Sequence, residues 1–260
     1  MCLVVLAWQI HPRYRLVVAA NRDEFHERPT AAMTKWPSPD DIIAGRDLRA
    51  GGTWLAMDRA RRFGIVTNFR DLQPPAPNAP SRGNLIPDYL RNQAEAAAHL
   101  EELHPKAGRY SGFNLLLTDS TSLWYASNRA NHFATPLPPG IYGLSNEFLD
   151  TPWPKLQRVR RRFDPLLMQG GEVPKDELFA ILADPTQAAV NEELPKTGLS
   201  REWEQLLSSP FIRNEDYGTR CSTVVLLDPA GAVCLAERRF DSAGSVTAET
   251  EFSLHGGEWL

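Results

Sequence analysis

The chain has 260 residues, 42% of them hydrophobic and 23% charged, with a formal net charge of −4. This composition is typical of a globular protein with a substantial core, and the negative charge gives no reason to expect nucleic acid or an anionic membrane surface as a partner. Three cysteines are too few, and odd in number, for a disulfide scaffold, and they favour a reducing compartment. No secretory signal and no apolar stretch of the roughly 20 residues that span a bilayer is found, so we expect a cytoplasmic protein without an integral membrane segment.

The first 25 residues predict a β-hairpin that ends in a dense polar cluster. Residues 2–7 and 15–20 are apolar runs typical of strands, and residues 11–13 (HPR) supply a turn between them. A hairpin of this kind returns the chain so that Cys2 lies beside residues 21–24 (NRDE). The sequence therefore brings one thiol close to an amide, a guanidinium and two carboxylates.

The next part of the chain predicts loops and short strands. A loop over residues 26–41 precedes three predicted strands at residues 42–47, 54–57 and 63–68, the last two forming a hairpin. Gly51 and Gly52 indicate either a plain turn or a close backbone approach. Residues 72–82 form a Pro-rich loop that is either a lid or an ordinary surface loop.

The remainder predicts a mixture of helices and strands. We expect helices over residues 85–104, 154–168 and 176–183, and strands over residues 113–118, 122–127, 141–146, 222–228, 233–240 and 247–254. Pro105 is expected to stop the first helix, and Pro165 to end or kink the second. Residues 184–216 show no clear element. Strands at both ends with helices between them fit a layered α+β fold, and we expect residues 1–260 to form a single domain.

Cys2 has two interpretations from its position. It either packs as a small hydrophobe in an edge strand or becomes a nucleophile after methionine aminopeptidase removes Met1. In the second case one residue carries both a thiol and a free α-amine, whose pKa of about 7.7–8.0 suits it to act as a base. The polar cluster at residues 21–24 brings the two interpretations close to even.

Segments along nearly the whole chain, in one order, carry a resemblance to a known family. They are the initial Met-Cys, ANRDEFHERPTAAMTKWP, AGRDLRAGGTWLAM, IVTNFRD, SRGNLIPDYL, GLSNEFLDTPWPKL and TRCSTVVLL. They resemble the NRDE-motif family, whose animal members are called transport-and-Golgi-organisation protein 2 and which looks like an outlying branch of the N-terminal-nucleophile hydrolases, close to cysteine amidases. The resemblance implies a four-layer αββα sandwich, with two stacked antiparallel sheets between helices. It also implies Cys2 as the nucleophile, and it leaves the substrate open.

The resemblance also implies roles for the residues around Cys2. The related amidases hold the oxyanion with asparagines, which makes Asn68 and Asn146, each at the end of a predicted strand, the corresponding candidates. Arg22 would lower the pKa of the thiol, and Asp23 would hold the α-ammonium group. The amidases space these two residues apart, whereas here they are adjacent and point to opposite sides of a regular strand. At most one of them is then expected to face Cys2.

Further side chains complete the predicted site. The substrate-binding candidates are Asn21, Glu24, Trp54, Arg70 and Arg220. Arg220 is equally well explained as a surface arginine before a strand. Residues 158–162 contain four arginines that either form a solvated helix face or hold the phosphates of coenzyme A. Cys221 and Cys234 are expected to pack as buried strand residues. No Cys/His spacing indicates a metal site, and no cofactor is expected.

Two functions are compatible with these residues. The first is a cysteine N-terminal-nucleophile hydrolase, an amidase-like enzyme that cleaves an amide or thioester bond of a small acyl-bearing substrate. The second is a non-catalytic carrier for acyl-coenzyme A, lipid or haem, acting in lipid metabolism or haem homeostasis. Either way the expected partner is a small molecule.

Overall fold

The computed structural model describes residues 2–71, 78–189 and 194–259, with the backbone alone for Cys2. The strands are β1 (Cys2–Trp8), β2 (Leu16–Phe25), β3 (Thr30–Lys35), β4 (Ile42–Asp47), β5 (Leu55–Asp58), β6 (Phe63–Asn68), β7 (Phe113–Thr118), β8 (Leu123–Ser127), β9 (Ala134–Pro136), β10 (Gly140–Leu144), β11 (Tyr217–Leu227), β12 (Val233–Phe240) and β13 (Val246–Leu254). The helices are α1 (Leu85–Asn92), α2 (Ala96–Ala107), α3 (Pro154–Met168), α4 (Lys175–Leu182) and α5 (Arg201–Leu206). None of the helices in these ranges is long and apolar enough to cross a membrane.

The contacts divide the chain into two compact units. The first contains the described residues of 1–27, 139–145 and 149–257. Its six strands form an antiparallel sheet in the order β10-β1-β2-β11-β12-β13. Alternate residues of the central strands, such as Leu3 and Val17, pack with Val159 and Phe163 of α3 and with residues of α4. One face of this sheet is therefore covered by α3 and α4. Because side chains alternate across a strand, the NRDE residues divide between this face and the other one.

The second unit contains the described residues of 28–138 together with 146–148 and 258–259. Its seven strands, β3 to β9, are antiparallel and lie in chain order. Residues of α1 and α2, including Ile86 and Leu100, pack with Leu115 and Leu117 of β7. Short connections join most of these consecutive strands, whereas the connection from β6 to its neighbour β7 contains α1 and α2. The expectation of a single domain over residues 1–260 stays a prediction.

The backbone at Gly52, in the connection between β4 and β5, passes very close to the backbone at Gly83. Gly51 has a φ of 78°, a conformation that L side chains rarely adopt. A Cβ placed on Gly52 would lie 2.4 Å from the carbonyl carbon and oxygen of Gly83. The amide of Thr53 donates to the same Gly83 oxygen at 2.9 Å. Of the two interpretations of these glycines, Gly52 fits the close approach.

The helix predictions are wrong in two respects. The helix expected over residues 85–104 is two helices, because Gln93 adopts a left-handed φ of 52° and ends α1. In addition α2 continues through Pro105, and α3 continues through Pro165 to its end at Met168. Both prolines are exposed, so water can satisfy the carbonyl groups that lose an N–H partner.

Short elements at the sheet edges were not foreseen. The predicted loop over residues 26–41 contains β3, an edge strand whose residues are mostly half-buried and therefore lack a clear apolar alternation. At the opposite edge, β9 is a three-residue strand. Within residues 184–216 lies α5, capped by Ser200, whose hydroxyl accepts from the amide of Trp203. Residues 72–77 of the predicted Pro-rich loop lie outside the described residues.

Candidate active site

The predicted N-terminal hairpin is confirmed, and its register fixes the neighbours of Cys2. Strands β1 and β2 pair antiparallel with Cys2 opposite Arg22 and Leu3 opposite Asn21. The strands are longer than expected, because β2 continues from the apolar run through the whole NRDE cluster to Phe25. The cluster is therefore regular strand, so the directions of its side chains alternate.

The NRDE side chains separate into two pairs on opposite faces of β2. Arg22 is 5% exposed, and its guanidinium lies 3.8 Å from the carboxylate of Glu24. Asn21 instead donates from Nδ2 to the carbonyl of Leu182 at the end of α4, at 2.9 Å. Asp23 shares the face of Asn21 because it is two residues further along the strand. Arg22, at the register position of Cys2, and Asp23 are thus on different faces.

The side-chain amide of Asn21 links β2 to the end of α4 and to the segment that contains Pro210. Besides Leu182, its Nδ2 donates to the carbonyl of Pro210 at 2.9 Å, and its Oδ1 accepts from the hydroxyl of Ser222 at 2.6 Å. The side chain is 1% exposed. These bonds give Asn21 a structural role, and the substrate-binding role stays a prediction.

Asp23 lies in a buried polar cluster on the helix-covered face of the sheet. Its Oδ1 accepts from the hydroxyl of Thr219 at 2.7 Å, and that hydroxyl accepts from the amide of Ile212 at 2.9 Å. Burial raises the pKa of Asp23, and the positive charge of Lys155 opposes this shift. Lys155, in the first turn of α3, is only 1% exposed. A buried carboxyl and a buried ammonium group therefore compensate one another below the NRDE strand.

Arg220 is the residue at a bulge in β11. The register with β2 shifts between Thr219 and Cys221, and Arg220 is the extra residue. Its guanidinium donates to the carbonyl of Phe25 at 2.8 Å and to that of His26 at 3.2 Å. It is thereby fixed at the end of β2, within the part of the sheet that carries NRDE.

The two remaining cysteines differ in exposure. Cys221 is buried, as predicted, and pairs in register with Arg22. Cys234 is only partly buried and packs against the helix-covered face of the sheet. The prediction of a packed strand residue is therefore confirmed for Cys221, and Cys234 follows it in part.

The two candidate oxyanion residues lie together in the second unit. The Nδ2 of Asn146 donates to the carbonyl of Asn68 at 2.9 Å, and the amide of Arg70 donates to the carbonyl of Asn146 at 2.7 Å. Asn146 is 1% exposed, whereas Asn68, at the end of β6, is half-buried. The structure thus brings Asn68, Arg70 and Asn146 into one hydrogen-bonded group.

A residue that was not among the candidates holds this group in place. Asn114 of β7 donates from Nδ2 to the carbonyl of Glu147 at 2.8 Å and to the hydroxyl of Thr67 at 3.2 Å. Its Oδ1 accepts from the hydroxyl of Tyr125 at 2.9 Å. Asn114 is fully buried. It ties the segment that contains Asn146 to β6 and β8.

Trp54 has a packing environment in the same unit. It is 8% exposed, and a Cβ placed on Gly45 would lie 2.4 Å from two of its ring carbons. The glycine is therefore needed for the indole to pack closely against the backbone of β4. This contact accounts for the burial of Trp54, and its substrate-binding role stays a prediction.

The arginine run of α3 is balanced by carboxylates. Arg160 lies 3.0 Å from the carboxylate of Asp150 and 3.1 Å from that of Asp164. Arg158 lies 3.9 Å from Asp184, and Arg162 donates to the carbonyl of Ala180. A cleft of about 500 Å³ beside the run is lined by the same two carboxylates as well as by arginines. These contacts favour the solvated helix face over a phosphate site.

Sequence reasoning missed the buried partners of the site. Lys155 was overlooked because lysines are rarely buried, although it is four residues before Val159 and eight before Phe163 on the apolar side of α3. That spacing was the available signal. Asn114 gave no signal, since it lies inside an otherwise apolar strand, and Thr219 gave none beyond its place at the start of the TRCSTVVLL segment.

The chain is similar to a named family along its length. The family model for Transport and Golgi organisation 2 matches residues 1–242. The Transport and Golgi organization protein 2 homolog of Bos taurus is 34% identical over 276 residues, which cover 98% of this chain and 98% of that protein. The Homo sapiens homolog is 33% identical, with 98% and 99% covered. The Drosophila melanogaster protein is 30% identical, with 88% of each covered.

A solved structure shares the fold. The Caenorhabditis elegans N-acylethanolamine-hydrolyzing acid amidase ortholog superposes with a TM-score of 0.50 at 13% identity, covering 88% of this chain and 93% of that one. This likeness, with the two antiparallel sheets and their helices, confirms the predicted α+β fold of the N-terminal-nucleophile hydrolase type. With a family model matching residues 1–242 and animal relatives aligned along 98% of the chain, the protein belongs to the Transport and Golgi organisation 2 family.

Proposed function

We propose that this protein is a cysteine hydrolase of the N-terminal-nucleophile type, which cleaves an amide or thioester bond of a small acyl-bearing substrate in the cytoplasm. The fold that it shares with an amidase supports this class of reaction. We further propose that Met1 is removed, so that Cys2 carries the attacking thiol and the adjacent α-amine serves as its base.

The observation that carries the proposal is the register of β1 and β2, with Cys2 opposite Arg22. Opposed positions of an antiparallel pair are on the same face of a sheet and only about 4.5–5.5 Å apart. A guanidinium at one position therefore supports ionisation of a thiol at the other, since a nearby cation stabilises the thiolate. The buried position of Arg22 strengthens this effect, because less solvent screens its charge.

The proposed reaction has two steps. In the first, the α-amine of Cys2 takes the thiol proton while the sulfur bonds to the carbonyl carbon. The tetrahedral intermediate then expels the amine or thiol, which leaves with that proton. In the second, water attacks the acyl-enzyme carbon, the acid product leaves, and the thiol is restored. No oxidant or metal enters this balance.

Asn68 and Asn146 are the proposed donors to the oxyanion. The hydrogen bond from the Nδ2 of Asn146 to the backbone carbonyl of Asn68 keeps the two residues together, which supports a shared role. Side-chain amides suit this task because they donate hydrogen bonds without titrating.

Turnover of a panel of acyl amides and acyl thioesters tests the proposal. The wild-type protein is expected to release acid product, and Cys2→Ala to release none above background. Cys221→Ala is the matched control, since it removes a different thiol on the same sheet and is expected to retain activity. Equal product release by wild type and Cys2→Ala would show that Cys2 is not the nucleophile.

A carrier function is the second candidate, and the placement of Asp23 favours it. Asp23 and Arg22 are on opposite faces of β2, and Asp23 already accepts a hydrogen bond from Thr219, so it differs from the spacing expected in the related amidases. A carrier would bind acyl-coenzyme A, lipid or haem in saturable fashion, with equal affinity in wild type and Cys2→Ala and without turnover. Absence of saturable binding for all three ligands would count against it.

A further inference from the structure

Cysteine and arginine positions alternate in register across the first sheet, beginning at Cys2. In register, Cys2 is opposite Arg22, Arg22 is opposite Cys221, and Cys221 is opposite Arg239. The row thus spans β1, β2, β11 and β12. Because paired residues share a face, Arg22 and Arg239 are on the face at which Cys2 has its register position.

The neighbouring arginine of β12 points the other way. Arg238 donates to the carboxylates of Glu249 at 3.0 Å and Asp176 at 2.7 Å, and its guanidinium lies 4.3 Å from the ring centroid of Phe179 in α4. These contacts place Arg238 on the helix-covered face. Arg239, the next residue along, is therefore on the face opposite the helices, with the row.

The arginines of this face are close enough to affect one another. Burial lowers the pKa of Arg220, and the charges of Arg22 and Arg239 lower it further. Glu24, 3.8 Å from Arg22, and the buried Glu237 supply negative charge on the same side. Three guanidinium groups are thus gathered with two carboxylates beside the register position of Cys2.

We infer that the substrate carries an anionic group, a carboxylate close to the scissile bond, which Arg239 and Arg220 bind beside Arg22. The inference rests on the proposed function in one respect, that Cys2 marks the position of the acyl carbon. Guanidinium groups bind carboxylates with paired, charge-assisted hydrogen bonds, and an incoming anion also relieves repulsion among the three cations.

The strand spacing gives the scale of the substrate. Neighbouring strands are about 4.8 Å apart, so the backbone of Arg22 is one spacing from that of Cys2 and the backbone of Arg239 is three spacings, about 14 Å, away. Arg22 is therefore nearer to the acyl carbon, and Arg239 can contribute only through its long side chain and its charge. The carboxylate of an N-acylated α-amino acid is three bonds from the acyl carbon and so lies on the Arg22 side of this row, whereas an N-acylethanolamine of equal length offers only a neutral hydroxyl group there.

Binding to the Cys2→Ala variant of the full chain tests the inference without requiring turnover. The probes are N-dodecanoylglycine and N-dodecanoylethanolamine, which have the same acyl chain and differ in charge. We expect the glycine conjugate to bind at least about ten-fold more tightly, the size of one charge-assisted hydrogen bond. Arg239→Gln in the Cys2→Ala background is expected to remove most of that preference. Arg238→Gln, which makes the same charge change on the opposite face, is expected to retain it.

The outcomes separate this inference from the proposed function. Preferential binding of the glycine conjugate that depends on Arg239 supports the inference, even if the wild-type protein hydrolyses neither probe. If the wild-type protein hydrolyses both probes and the Cys2→Ala variant binds both with equal affinity, the hydrolase is supported and the inference is overturned. Equal loss of preference in Arg238→Gln and Arg239→Gln, or binding of neither probe, overturns it as well.

Discussion

Asn114 is the residue whose replacement best separates a positioning role from general packing. It is fully buried, and its side chain makes hydrogen bonds with Thr67, Glu147 and Tyr125. Asn114→Ala removes this hydrogen-bond partner from the partly buried carbonyl of Glu147 and from the buried hydroxyl of Tyr125. Each buried group deprived of a hydrogen bond costs about 1–3 kcal/mol. We therefore expect the free energy of unfolding to fall by about 3–5 kcal/mol, with a contribution from the small cavity.

Urea denaturation measures this loss, and Tyr125→Phe is the matched comparison. That variant removes one of the same hydrogen bonds and leaves only the Oδ1 of Asn114 without this partner, so it is expected to cost less, about 1–2 kcal/mol. Hydrogen exchange adds a local measurement, because the amide of Arg70 donates to the carbonyl of Asn146. Faster exchange of that amide in Asn114→Ala would show that the segment has been released. An Asn114→Ala variant no less stable than Tyr125→Phe, with unchanged exchange at Arg70, would refute the reasoning.

Three further predictions concern stability. Gly52→Ala is expected to lower the free energy of unfolding by about 2–4 kcal/mol, measured by thermal or urea denaturation, because its Cβ would lie 2.4 Å from backbone atoms. Gly108→Ala is the control and is expected to be neutral, because a Cβ at that position would meet no atom within 4 Å. Equal effects of the two variants would contradict this prediction. Lys155→Met is expected to lower the free energy of unfolding by about 3–5 kcal/mol at neutral pH and by less in acid. Burial raises the pKa of Asp23 in the folded protein, and the variant removes the positive charge that opposes this shift, so the stability of the variant falls as the pH rises above the unfolded pKa of Asp23. A cost that does not change with pH would contradict this prediction. Burial lowers the pKa of His99, so stability is expected to fall as pH drops below about 6.5 and His99→Leu to flatten that part of the profile, while an unchanged slope would contradict it.

The N-terminal hairpin could be predicted because its signals are local. Two uninterrupted apolar runs flank a turn, and their lengths fix which residues meet. The same reasoning applies to the last three strands, where turn residues separate apolar runs. The opposite directions of Arg22 and Asp23 also followed from the alternation of a strand, once NRDE was taken as extended.

Other features depend on tertiary contacts that no local pattern reports. The break between α1 and α2 falls at Gln93, a good helix former, so nothing in composition marks it. The buried charge of Lys155 is favoured by Asp23 of β2, which is 132 residues earlier in the chain. The link between Asn146 and Asn68 likewise joins distant segments. Sequence reasoning therefore identified the strands that carry the candidate site better than the buried residues that support it.

The central claim is that Cys2, freed from Met1, forms an acyl-enzyme. Mixing the purified protein with an activated acyl thioester, quenching in acid and mapping the peptides by mass spectrometry measures this directly. The account predicts an N-terminal peptide that begins at Cys2, has a free α-amine and carries one acyl group on sulfur, with no such adduct in Cys2→Ala. An N-terminal peptide that retains Met1, or acyl transfer that persists unchanged in Cys2→Ala, would contradict it.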